Sequence, residues 1–206
     1  MVNVSSYTPY AKTIVDHIAP KLKAAGFRKR RHRFNRALDD GLIHEFSLYL
    51  LSADSSGHGT GYFHAGCYVP AAELYERNGT DPKWVTSARC CIRDMFNNDP
   101  KAAWPGNFYV TAMAKDPSKA DVHVERALKF LDGISTLEQI MAIDPTAHKQ
   151  GIGTPLGIVQ SCIAFDQGER GQATELLSQY LTAARTRGSD SHAEFVVDWA
   201  KEQGLL

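Results

Sequence analysis

The densest chemistry in the sequence is cationic. Arg28, Lys29, Arg30, Arg31, His32 and Arg33 follow one another, and six of the nine residues 28–36 are Lys or Arg. Such a run is an electrostatic footprint for phosphate or for an acidic protein surface. It also suits a solvated strand edge, where basic side chains deter edge-to-edge pairing. Successive side chains of a strand point to opposite faces, so only about half of the run can share one patch. We take Arg28, Lys29, Arg30, Arg31 and Arg33 as candidate partner-binding residues. The solvated edge is the first reading of the run as a whole, and among functional readings an acidic protein partner leads. Nucleic acid comes second, because 23 Lys and Arg balance 23 Asp and Glu and no global field favours it.

Groups for acid–base or metal chemistry are scattered. His44, Glu45 and His64 fall in one stretch, and His64 with Cys67 spells His-x-x-Cys. Positions three apart on a strand face opposite sides, so that pair is not expected to converge, and His64 reads as a surface or groove histidine. Glu73, Glu76 and Asp94 read as solvated carboxylates. Cys67, Cys90, Cys91 and Cys162 form no CxxC pair, which removes a zinc knuckle and a dithiol redox motif. They read as buried free thiols of a reducing compartment. The glycine-rich segments 57–61 and 151–157 lack the Lys-Ser/Thr of a phosphate loop and read as loops. No nucleophile elbow, HExxH or kinase set is present, and no metal or cofactor is expected. Trp84, Trp104, Trp199, Tyr68 and Tyr109 read mainly as core, with interface anchoring as the other use of such residues.

The elements that must position these groups come in two blocks. Ala11, Ile14, Val15, Ile18, Leu22 and Ala25 recur at helical spacing between Thr8-Pro9 and Gly26, with Pro20 expected to kink the helix or restart it. An antiparallel meander of four or five strands follows. Residues 34–38 and 42–51 flank the hairpin signal Asp39-Asp40-Gly41. Residues 62–69 return as a third strand, a fourth is expected over 88–96, and a fifth over 108–114. Residues 84–95 also admit a helix. From Pro117 the period is helical, with Ser118 as a cap, capping boxes at Ser135/Glu138 and Ser191/Glu194, and a helix opened by Thr154-Pro155. The fold class is therefore α+β: an N-terminal helix and antiparallel sheet over 1–116, then a helical annex over 117–206 packed with the sheet as one unit.

The same residues carry a resemblance. The chain is similar to the bacterial family known as domain of unknown function 4304 in several segments. These are a first helix ending in Ala25-Gly26-Phe27, the basic Arg28-Lys29-Arg30, a strand starting at Phe34, the strand 46–50, and Ala65-Gly66-Cys67-Tyr68-Val69. The polar-basic segment 88–93 and the helical segments 162–165 and 173–177 complete it. The resemblance implies a mixed sheet-and-helix fold with no assigned activity and no known cofactor.

No basic segment followed by an apolar run opens the chain, and about 18 consecutive apolar residues occur nowhere, so a cytoplasmic protein without a membrane partner is expected. Two functional expectations result. One is a non-enzymatic bacterial binding protein, including an immunity-type factor that neutralises a toxin. The other is a small hydrolase or nucleic-acid-acting enzyme whose site on the sheet face uses His44, His64, Glu45 or the arginine run.

Overall fold

The computed structural model describes residues 8–53, 59–76, 82–95, 108–145 and 153–206. Helix α1 (Thr8–Ala24) runs through Pro20 as one assigned helix, with no restart there. Ile14, Ile18 and Leu22 are fully buried along one stripe. The helix ends in a Schellman turn: Gly26 takes φ +87°, its N–H donates to Lys23 O (2.9 Å), and Phe27 N–H donates to Leu22 O (3.0 Å). That turn launches the chain directly into the sheet.

Strands β1 (Arg28–Arg30), β2 (Arg33–Ala37), β3 (Ile43–Ala53), β4 (Gly59–Tyr68) and β5 (Ile92–Met95) lie in sequence order, all antiparallel. β6 (Phe108–Tyr109) also pairs with β4, making six strands. The Asp-Gly signal is realised between β2 and β3, where Asp40 (φ 57°) and Gly41 (φ 72°) both adopt left-handed backbone.

Two strand expectations need correction. Residues 110–114 are helical: only Phe108 and Tyr109 pair, and α3 (Val110–Lys115) turns Val110 and Met113 into the core. Apolar burial on the helix overrides the strand preference of Tyr-Val-Thr. In 88–95 a 3-10 turn (Ser87–Arg89) precedes β5, so Cys90 and Cys91 lie outside the strand. Phe96 and Trp104 fall outside the described residues.

One sheet face packs on α1, α3 and α4 (Asp121–Asp132) through Phe34, Phe46, Leu48, Phe63 and Ala65. This core crosses residue 117: Val124, Ala127 and Leu131 belong to the same cluster as Ile14 and Phe46. Ser118 caps no helix; it sits in a 3-10 turn with its hydroxyl donating to Asp116 Oδ1 (2.5 Å). The capping box of α5 (Leu137–Met141) is one residue later than expected, formed by Thr136 and Gln139. Helix α6 (Leu156–Asp166) is buried on every side from Leu156 to Ala164 and joins the sheet core to α7 (Arg170–Thr186) and α8 (Asp190–Glu202). Ser191 lies inside α8 and forms no cap, because the helix already begins at Asp190. No helix among the described residues is long and apolar enough to cross a membrane.

Candidate anion-binding site

The other sheet face carries the polar chemistry. Ladder register sets it out in rows. Arg30 pairs with Arg33, Arg33 with Ser47, and Ser47 with His64, so these four side chains cross the sheet on one face. The next row holds Arg28, Asn35, Glu45, Gly66 and Arg93. Tyr49 and Tyr62 stack beside them at 5.2 Å.

Lys29 belongs elsewhere. It points to the α1 side and binds Asp16 at 2.9 Å. Lys12 and Lys29 together hold the Asp16 carboxyl down at about 2. Arg36 is likewise taken, donating to Asp132 (2.7 Å) and to Ala25 O (3.1 Å). Arg28, Arg30, Arg31 and Arg33, by contrast, have no described carboxylate within ion-pair distance. Of the five residues read from sequence as partner-binding, four therefore stay on or beside one face, and Lys29 is committed to the helix.

Two adjoining cavities form where this face meets residues 82–86. The described residues lining the larger, 430 Å³, are Arg30, Arg31, His32, Arg33, Trp84 and Thr86. The smaller, 320 Å³, takes Arg28, Asn35, Ile43 and Lys83 and shares Trp84 as a wall. Asn35 fixes that wall, its amide donating to Val85 O (3.1 Å) while its carbonyl accepts from Val85 N–H (2.7 Å). Tyr49 and the Ser87 hydroxyl are hydrogen-bonded further along. Arg33 lies over the Tyr49 ring at 5.8 Å, which orients its guanidinium. Burial, with Arg33 and Arg31 close by, pushes the His32 pKa down, so this wall adds no cation at neutral pH.

His44 and His64 are separated by the sheet. His44 is fully buried on the α1 side, where its Nε2–H donates to Ile134 O (3.1 Å) and Nδ1 accepts from Arg36 (3.0 Å). Burial, helped by Arg36, lowers its pKa to about 4. His64 is not a surface histidine. It is 4% exposed, and its Nδ1–H donates to the buried Glu45 at 3.0 Å. Glu45 Oε1, Ser47 Oγ and His64 Nε2 have no described hydrogen-bond partner. Residues 87–90 lie directly on this centre: a Cβ at Gly66 would meet Cys90 Cβ at 2.7 Å. Glu73 pairs with Arg89 and Glu76 accepts from Thr154, so neither is free.

The four cysteines are buried and form no disulfide, with burial raising each thiol pKa, to about 12 for Cys91 and Cys162. Among the described residues no group of His, Cys, Asp and Glu could hold a metal ion. Trp199 is core, its indole N–H donating to Leu74 O (3.1 Å), whereas Tyr109 is exposed. Sequence reasoning missed Asn35 and Thr86 as site residues and gave Trp84 interface anchoring only as its second use. The signal for Trp84 lay in residues 84–95, which admitted a helix while 88–96 suited a strand. No protein-family model, curated protein or solved structure matches the chain.

Proposed function

We propose that the protein works by binding, seating acidic groups of a protein partner in the cavity walled by Arg30, Arg31, Arg33 and Trp84. One observation carries this reading: guanidinium groups gather in a preformed cavity with no described carboxylate to neutralise them. Arg and Trp are the residues that most often dominate binding energy at such centres. A toxin-neutralising, immunity-type role and a kinship with domain of unknown function 4304 belong to this proposal. Affinity purification of the tagged protein at moderate salt tests it. One acidic protein should be retained in stoichiometric yield and lost from the Arg28→Glu/Arg30→Glu/Arg31→Glu variant. A complex indifferent to that charge reversal would remove the reading.

The Glu45–His64 pair beside Ser47 favours a second reading, hydrolysis on the same sheet face. It requires a route past residues 87–90 to side chains that solvent scarcely touches. Covalent capture of Ser47 by a fluorophosphonate, abolished in His64→Gln, would support it, and an unlabelled wild-type protein would count against it.

A further inference from the structure

The larger cavity is over-supplied with positive charge for a carboxylate. Arg30, Arg31 and Arg33 line it together. A carboxylate brings one negative charge and two oxygens, whereas a phosphate monoester brings nearly two charges and three acceptor oxygens. Guanidinium forks match those oxygens in pairs, and an arginine cluster is the recurrent way of recognising a phosphorylated side chain.

Two further features point the same way. Arg31 holds φ +58° in the two-residue connection between β1 and β2, a conformation that favours glycine. The two-residue hairpin connection calls for that backbone, as the turn at Asp40 does, and it sets a cavity-lining arginine at a position where glycine would be easier. Arg33 Nε is buried and has no described acceptor, although stacking on Tyr49 fixes the guanidinium. An acceptor oxygen brought into the cavity would give this donor a partner. The remaining walls, the Trp84 indole and the Thr86 hydroxyl, leave 430 Å³, which exceeds what a bare carboxylate fills.

Building on the binding role proposed above, we infer that this cavity takes a phosphoryl group carried on a side chain of the protein partner. The phosphate oxygens accept from Arg30, Arg31 and Arg33, and the carbon stem lies along Trp84. No bond is made or broken.

Calorimetry on the full chain tests this with four probes: N-acetyl phosphotyrosine amide, N-acetyl phosphoserine amide, octaglutamate and a single-stranded oligonucleotide. At least one phosphorylated probe should bind about tenfold more tightly than octaglutamate. It should raise the pKa of His32, read by NMR, because a dianion beside the ring opposes the arginines that now depress it. Arg31→Gly should weaken binding about tenfold with no loss of folding, since glycine relieves the left-handed backbone. Lys29→Gln, altered on the opposite face, should bind normally. Octaglutamate binding as tightly as the phosphorylated probes would overturn the phosphoryl inference while leaving the acidic-partner reading intact. Preference for the oligonucleotide would overturn both. Silence from every probe would overturn the phosphoryl inference, with the partner reading then resting on the charge-reversal purification alone.

Discussion

Asn35 grips Val85 by both of its backbone groups, accepting from the N–H at 2.7 Å and donating to the carbonyl at 3.1 Å. A side chain from β2 thus does for residues 82–86 what a neighbouring strand would do. It holds Trp84 where both cavities need a wall.

Replacing Asn35 with alanine strands the buried Val85 groups, at a cost of about 2 kcal/mol. Urea unfolding of Asn35→Ala should show that loss, and anion binding should weaken with it as Trp84 comes free. Unchanged stability would mean that the clasp does not hold this segment.

Arg31→Gly should behave in the opposite way. Left-handed backbone at a non-glycine residue costs about 1–2 kcal/mol, partly offset by the extra chain entropy that glycine loses on folding. A net gain of up to about 1 kcal/mol is expected in denaturant melts, together with weaker anion binding. Stability and binding moving apart at one position would mark Arg31 as a residue kept for recognition.

Stability should fall on mild acidification. His44 and His123 are buried, and burial lowers both pKa values from 6.5 to about 4. The unfolded chain therefore binds more protons than the folded one between these values. Their contribution is fully present above pH 6.5 and is lost as pH falls toward 4. From pH 7 to pH 5 the loss is at most about 2 kcal/mol for each histidine. Chemical denaturation at the two pH values checks the sign, and greater stability at pH 5 would refute it.

Gly66→Ala should be felt on the polar face. The added methyl would meet Cys90 Cβ at 2.7 Å and Ile92 O at 3.0 Å, contacts that force residues 87–90 outward. Overpacking of this kind costs about 1–3 kcal/mol. Cys90 is now shielded, so its alkylation rate under native conditions should rise in the variant. A rate equal to wild type would show that the segment accommodates the methyl without lifting.

What the sequence made legible depended on whether the deciding contacts were local. Helix α1 and its Gly26 stop, and the hairpin at Asp40-Gly41, are set by residues a few positions apart, and they read correctly. The capping box slipped by one because Ser135/Glu138 and Thr136/Gln139 both fit the pattern, and only packing of Ile140 chooses between them. Residues 108–114 misled because tyrosine, valine and threonine suit a strand, yet Val110 and Met113 gain more by entering the helical core.

The site divided along the same line. Alternation in β1 correctly warned that the basic run would split between faces, and Lys29 leaves for Asp16. Nothing local announced that Glu45, Ser47 and His64 would be covered. Their alternation with Phe46 and Phe63 reads as one wet face, and the cover comes from residues 87–90, far along the chain.

Helix α6 has no outward side from Leu156 to Ala164. Its Gln160 amide donates to Ile140 O (3.0 Å) and Ile143 O (2.8 Å), and Ser161 donates to Ala173 O (2.8 Å), so it also ties α5 to α7. A helix with no wet face has nowhere to send a polar substitution, and its amides should be among the slowest to exchange, because only a large opening exposes them. α6 contributes to both the sheet core and the core of α7 and α8, so exchange slowed in α6 by an occupied cavity would report ligand binding from across the core.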